Sequence, residues 1–416
     1  MRERKVEEGA SALRFTSKSR NFMLAILFAV SIVATSALVV AMTWSDYENR
    51  LTTYLDFDGI PSVIQASDGA IWIFWTRKTE NYDICYTVSS DEGLTWSPET
   101  QLTSNSSANT AVNAFRASDG TILLVWDSDR TGNYDIYYKT SSDLGSSWSN
   151  DTQLTNHAGR DLKPSVCQLS NGTIWVVWCS DRTGGYDIYL KTSSDDGVSW
   201  SDDFWVTNSP ELDKCPSIAQ MYDDTVWLVW ASKEAGNYDL VYKIYDDSMW
   251  SSEEWLTDDP KVDSNPFVFQ TLDGKIWIFW ASREPAVSEP TTDDIYYKYS
   301  FDNGATWSAK TQFTNDPYDD AWPSAVQTSG TRVWIVWTSD RADQPDWGNW
   351  DIYYNKSLVG DVNEDGVVDI ADLSLVGIGY GSFEGEPQYN PDVDINCDGI
   401  VDIVDISFVC INYGAT

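Results

Sequence analysis

The stretch Asn133-Tyr-Asp-Ile-Tyr-Tyr-Lys-Thr-Ser-Ser-Asp-Leu-Gly-Ser-Ser-Trp-Ser149 decides how most of this chain is read. Its first half sets aromatic and β-branched residues among small or polar ones, which predicts a strand. Its second half, from Ser141 to Trp148, has the form S-x-D-x-G-x-S/T-W. In such a turn the Asp143 carboxylate accepts backbone N–H groups, Gly145 permits positive φ, and Trp148 returns the chain to apolar packing. The form recurs at residues 89–96, 193–200 and 300–307, and a worn copy at 245–250 lacks the glycine.

Two further markers count the repeats. An apolar run ends at Trp75, Trp126, Trp178, Trp230, Trp280 and Trp337, spaced 51, 52, 52, 50 and 57 residues apart. A strand acid follows each, at Asp83, Asp135, Asp187, Asp239, Asp294 and Asp351. Periods of this length predict a propeller or a solenoid. Each repeat reads as four strands: in the third they fall at residues 165–168, 174–178, 187–191 and 204–207, with Asn171-Gly172 as the first hairpin turn. The second of these, Ile-Trp-Val-Val-Trp, is apolar on both faces, whereas a sheet with one wet face would alternate. Blades covered by neighbours on both sides explain that run, so the expected fold is an all-β six-bladed propeller. The sixth repeat stops at Ser357 without a fourth strand. Trp44-Ser45 and Leu51-Thr52 copy the fourth-strand signature of Trp96-Ser97 and Leu102-Thr103. Residues 44–53 are therefore expected to complete blade six and close the ring.

The repeated turn resembles the Asp box, or BNR repeat, of sialidase-like propellers, and the resemblance covers residues 44–357. It implies an arginine triad, a Tyr–Glu pair, an Asp acid/base and an Arg-Ile-Pro motif if the activity is that of a sialidase. The nearest stretch, Asp58-Gly59-Ile60-Pro61, keeps the Ile-Pro without the arginine, and no triad can be placed by matching motifs. The resemblance also implies that the Asp boxes face away from the ligand. Chain direction then puts the loops after each second strand, and those leading into each first strand, on the ligand face. Such loops lengthen in blade five, at 284–293, and in blade six, at 342–350. The candidate ligand residues there are Arg283, Trp322, Arg341, Trp347 and Trp350: indoles to stack on a sugar ring and guanidinium groups to hold an acidic substituent. A basic residue follows the second strand in every repeat, at Arg77, Arg130, Arg182, Lys233, Arg283 and Arg341. Two readings of that pattern stand: structural pairing with a nearby Asp, or a basic ring that attracts acidic glycans.

After Gly360 the composition changes. Asp361, Asn363, Asp365, the Val367 carbonyl, Asp369 and Asp372 occupy positions 1, 3, 5, 7, 9 and 12 of a calcium loop, with Gly366 at the sharp turn. The set repeats 33 residues on as Asp394, Asn396, Asp398, Ile400, Asp402 and Asp405. Helices are expected over residues 373–378 and 406–411. Paired loops with Asp at the twelfth position resemble a dockerin, over residues 360–416. The resemblance implies two calcium ions, calcium-dependent folding and docking onto a cohesin-type partner. Where well-known clostridial dockerins carry Ser-Thr, this chain has Ile370-Ala371 and Ile403-Val404, which makes the expected docking surface apolar.

The chain has 416 residues, with 27 basic against 64 acidic side chains and a net charge of −37. That length predicts more than one domain. The charge argues against nucleic acid and anionic membrane surfaces as partners. It suits an exported or calcium-binding protein. Six basic residues lie among the first twenty, and residues 22–42 run without a charge. Residues 1–43 therefore read as a signal peptide or an uncleaved signal anchor, with membrane contact through this segment alone. Either way the bulk is placed outside the cell or at its surface. Sequons at Asn105, Asn150, Asn171 and Asn355 agree. The six cysteines form no C-x-x-C pair, which argues against zinc. Most read as small buried hydrophobes, and Cys179 with Cys215 is a candidate bridge between adjacent blades. A single histidine, His157, argues against histidine-based catalysis and leaves carboxylates, with tyrosine as a nucleophile. The expected function is an exported propeller that binds or processes a glycan, acidic ones included, tethered through its dockerin-like module. The alternatives are an adhesive or structural surface protein whose propeller binds another protein, and a calcium-dependent scaffold without a small ligand.

Overall fold

The computed structural model describes residues 44, 48–54, 56–208, 212–233, 236–246, 248–284, 292–329, 332–341, 349–357, 368, 370–383, 393, 395 and 400–412. The expected signal or anchor segment, residues 1–43, lies outside them. Among the described residues no helix is long and apolar enough to cross a membrane.

Six antiparallel sheets form the six blades, each running outward from first to fourth strand. Blade three is representative: Asp161–Gln168, Ile174–Ser180, Asp187–Ser193 and Phe204–Trp205. Its first strand begins four residues before the sequence-based expectation because it continues across a bulge between Leu162 and Ser165. The second strands are buried along their apolar runs, and the six marker tryptophans are 0–1% exposed. Alternate residues of one strand serve two neighbours. Val176 and Trp178 pack with Leu123 and Val125 of blade two, while Trp175 and Val177 pack with Leu228 and Trp230 of blade four. Each buried indole withdraws about 200 Å² from water, worth at most about 5 kcal/mol.

The ring closes with the N-terminal segment. Asn49–Arg50 pairs antiparallel with Tyr353 and Tyr354 of the last propeller strand, Asp351–Lys356, and Trp44 bridges Ser357. Arg50 reaches the buried Asp351 at 2.6 Å, and the Thr52 hydroxyl donates to the same carboxylate. Blade six thus takes its outermost strand from residues some 300 positions away.

The Asp boxes are latches between blades. In the second, Asp143 accepts from the Ser147 N–H at 2.8 Å and the Ser147 hydroxyl at 2.6 Å, and Ser141 Oγ accepts the Gly145 N–H. Those donors hold the Asp143 carboxyl below its ordinary range. Gly145 has φ of 74°, and a Cβ there would strike Trp72 of blade one, so both its backbone and its position demand glycine. Trp148 meets Phe74 of blade one edge-on. The worn copy in blade four is a tight hairpin instead, Met249–Trp250 pairing with Tyr245 and Asp246.

Farther along the chain, α1 (Ile370–Gly379) and α2 (Ile403–Asn412) each start three residues before the expected positions. Val368, Val376, Val393, Val401 and Val409 form the core between them.

Candidate functional site

Every first strand carries a bulge, and every bulge holds a non-glycine residue in the left-handed region: Ile60, Ala111, Lys163, Cys215, Asn265 and Trp322, at φ 52–56°. The ladder skips a partner there, and in five blades the next residue is a proline, which has no N–H to leave unmet. In four blades the residue after the marker tryptophan supports the bulge of the next blade. The N–H of Ile60 donates to Thr338 Oγ1 at 2.9 Å, that of Ala111 to Thr76 Oγ1 at 3.1 Å, and that of Lys163 to Asp127 Oδ2 at 2.9 Å. Cys215 donates in the same way to the Cys179 sulfur. These two cysteines, the candidate bridge, are free thiols side by side, and burial pushes both thiol pKa values up. Cys85 and Cys167 are buried as expected, whereas Cys410 is exposed.

The six bulge residues converge on the axis and line a cavity of about 80 Å³. Each of the six carries a different side chain. A much larger cavity, about 770 Å³, opens at the Asp-box end. Its glutamines are already engaged: Gln65, Gln168, Gln220, Gln270 and Gln327 each accept a backbone N–H from a neighbouring blade. The smaller mouth, on the face of the strand-two loops, is therefore the better candidate site.

Aromatic rings wall that face. The residue before the strand-three acid is Tyr82, Tyr134, Tyr186, Tyr238 and Trp350 in blades one to four and six. Trp322 lies 5.9 Å from Trp350 and 6.4 Å from Phe57, which in turn meets Tyr82 at 6.0 Å. Across the axis, the Lys163 ammonium sits 5.4 Å from the Trp322 ring. The Phe57 ring fills the space where a side chain at Gly59 would begin, so this position of the Arg-Ile-Pro comparison has no room for an arginine. In blade five the wall residue is Asp293. Burial pushes its carboxyl up to about 6 although Arg283 stands 3.7 Å away, and its N–H donates to Asp319 at 2.8 Å. Burial likewise raises the pKa of Asp127, which accepts from Thr110 and supports the Lys163 bulge.

Residues 38–264 match the BNR repeat-like domain family. The chain belongs to that family. Among solved structures, a protein of unknown function from Dyadobacter fermentans is 17% identical, with a TM-score of 0.63 over 75% of this chain and 98% of that one. The α-L-arabinanase of Penicillium chrysogenum, solved with arabinobiose, is 13% identical, with a TM-score of 0.56 over 76% and 98%. The NanB sialidase of Streptococcus pneumoniae is 11% identical, with a TM-score of 0.55 over 79% and 72%. These likenesses are likenesses of fold. A search of curated proteins finds no match.

Within this BNR propeller the six basic residues after the second strands do not form one ring. Four are clamps inside their own blades. Arg77 binds Asp58 and Glu99, each at 2.6 Å. Arg130 binds Asn109 and Asp151, and Arg182 binds Asp161 and Asp203. Arg341 binds Asp320 at 2.7 Å, Asp316 at 2.6 Å and Glu48, with its guanidinium over Tyr353. The expectation that Arg341 offers a free guanidinium to a ligand is corrected on this ground, since three carboxylates already hold it. Blade five performs the same clamp with Lys310, which binds Asp259 and Asp263, and so leaves Arg283 exposed at the rim. Among the described residues blade four has no clamp. Asp213 is 1% exposed, and neither of its carboxylate oxygens has a hydrogen-bond partner.

Of the other expected ligand residues, Trp322 and Trp350 stand in the aromatic wall and Trp347 lies outside the described residues. Asp293 was legible only as a doubled acid, Asp293-Asp294, whose second member carries the repeat. Of the calcium set, Asp361, Asn363, Asp365, Val367, Asp369, Asp394, Asn396 and Asp398 lie outside the described residues. Asp372 and Asp405 are fully buried. Asp405 accepts the Ile395 and Asp402 N–H groups at 2.7 Å each, drawing the second loop around it. By residue type the two sets, carboxylates with a backbone carbonyl, suit a hard divalent cation, although among the described residues no three acidic side chains gather as a metal site.

Proposed function

We propose that this protein is an exported propeller that binds or processes a glycan at its axial mouth. One observation carries the reading: six different side chains are held by costly left-handed backbone around a single point, inside an aromatic wall. Rings of that kind stack on sugar faces. Support of a coarser kind comes from the neighbours in fold, two of which are named as an arabinanase and a sialidase. If the propeller cleaves its ligand, Asp293 has the attributes of a general acid, a carboxyl held near 6 at the rim of the site. The second part of the proposal concerns attachment. Residues 360–416 would fold around two calcium ions, held by the two oxygen sets named above, and dock on a cohesin-type partner. Ile370 and Ile403, at matching positions of the two helices, are 61% and 60% exposed and would supply apolar contact. A glycan array on the purified full chain, with chromogenic glycosides alongside, tests the first part. Trp322→Ala and Trp350→Ala should each weaken binding about tenfold, or about 1.4 kcal/mol. An array without a single bound glycan, or unchanged binding in both variants, rejects the reading.

A further inference from the structure

Acidic side chains outnumber basic ones by more than two to one in this chain, so a lysine without a counter-ion is unusual. Three such lysines meet on the ligand face of blades three and four. The Lys163 ammonium lies over Trp322 at 5.4 Å. That of Lys214 lies between Tyr186, at 4.8 Å, and Tyr238, at 5.7 Å. The Lys233 ammonium is also 5.7 Å from Tyr238, so two like charges share one ring. Among the described residues none of the three makes an ion pair. Arg160, on the other side of Tyr186, does: Asp181 neutralises it at 2.8 Å. Asp127 feels the Lys163 charge without forming an ion pair with it, and its oxygens accept from Thr110 and from the Lys163 backbone. This face thus neutralises one cation and leaves three, two of them crowded at one tyrosine. Like charges brought together without a counter-ion repel, and the arrangement is relieved by an anion placed among them.

We propose that Lys163, Lys214 and Lys233 hold the anionic group of an acidic saccharide, a carboxylate or a sulfate, while Tyr186, Tyr238 and Trp322 contact its ring. The proposal rests on the reading of this mouth as a glycan site and names the class of glycan it takes. Lysines suit the task as point charges on flexible stems, able to follow an anion that is not presented in one fixed plane. The aromatic faces behind them keep the ammonium groups positioned while empty. An acidic ligand must also approach a protein of charge −37, so local cations are needed for it to bind at all.

The test is calorimetry on the full chain with paired probes: trigalacturonate and its methyl ester, 3′-sialyllactose and lactose, and a sulfated and an unsulfated chondroitin tetrasaccharide. At least one acidic probe should bind tenfold or more tighter than its partner, and the responding pair identifies the source of the anion. Lys163→Gln and Lys214→Gln should each weaken the acidic probe fivefold or more, leaving the neutral partner and the thermal midpoint unchanged. Lys214→Arg should retain most of the affinity. Equal affinity within every pair, or acid binding indifferent to both glutamine variants, overturns the proposal while leaving a neutral-glycan site standing. Failure of all six probes to bind overturns this proposal, and the glycan array then decides the reading beneath it. Should a glutamine variant fail to fold, the wild-type comparison of acid with neutral partner still decides.

Discussion

Replacing Asp213 by Asn should stabilise the protein, and the gain should depend on pH in a defined direction. In the other blades the acid or amide at this place is met by a cation: Asp58, Asn109, Asp161 and Asp320 by arginine, Asp263 by Lys310. Asp213 has none. Its carboxylate is buried without a hydrogen-bond partner, and burial pushes its pKa up to about 6 from an ordinary 3.8. Ser232, Thr207 and Trp230 lie near enough to soften that shift. A carboxyl whose folded pKa is raised takes up protons on folding, so its penalty is absent below about 4, grows as pH rises towards 6, and is complete above it. The gap between the two values, at about 1.4 kcal/mol per pH unit, gives roughly 3 kcal/mol. Asparagine stays neutral, and blade two already accommodates one: Asn109 accepts from Trp126 at 3.2 Å and from Arg130 at 2.8 Å. Thermal unfolding of wild type and Asp213→Asn from pH 3.5 to 8 is the assay. The variant should melt about 3–5 °C higher at pH 7.5 and alike at pH 3.5. Other raised carboxyls, such as Asp239, are common to both proteins and cancel in the difference. A variant that melts lower at pH 7.5, or a difference flat across the range, refutes the reasoning by showing that Asp213 is a stabilising anion.

Three other outcomes are expected. Arg341→Ala should cost about 3–5 kcal/mol because it strands the fully buried Asp320, whereas Arg283→Ala, at an exposed side chain, should change stability by less than about 0.5 kcal/mol; chemical denaturation distinguishes them. Deleting residues 44–53 should bare the edge of Asp351–Lys356 and strand Asp351 without Arg50, giving aggregation or a large loss of melting temperature; an unchanged melt argues against closure as a source of stability. Chelation of calcium should unfold residues 360–416 with the propeller intact, and Asp361→Ala with Asp394→Ala should abolish tight binding, so two unchanged sites in that double variant count against the calcium assignment.

Local chemistry makes the propeller readable along the chain. Strand periodicity, the Asp-box turn and the return of a tryptophan to the core each involve residues within about a dozen positions of one another, so six copies announce themselves in the sequence. The closure by residues 44–53 is also legible, because the N-terminal segment repeats the fourth-strand signature. What could not be read was the fate of individual side chains whose partners lie on another strand or another blade. The six basic residues look equivalent along the chain, yet they follow the marker tryptophan at different distances, two positions for Arg77, four for Arg130 and three for Arg283. A shift of one residue turns a side chain to the other face of a strand and changes which acid it can reach. The bulges hide in the same way. Nothing local in Lys163 or Trp322 marks a left-handed backbone, and only the ring brings blade three to face blade six across the axis. Sequence alone therefore determined the repeat, the count of blades and the ring's closure. The tertiary structure alone decided which charges are clamped, which are left free and where the unequal residues meet, because those depend on partners that folding brings in from other strands and other blades.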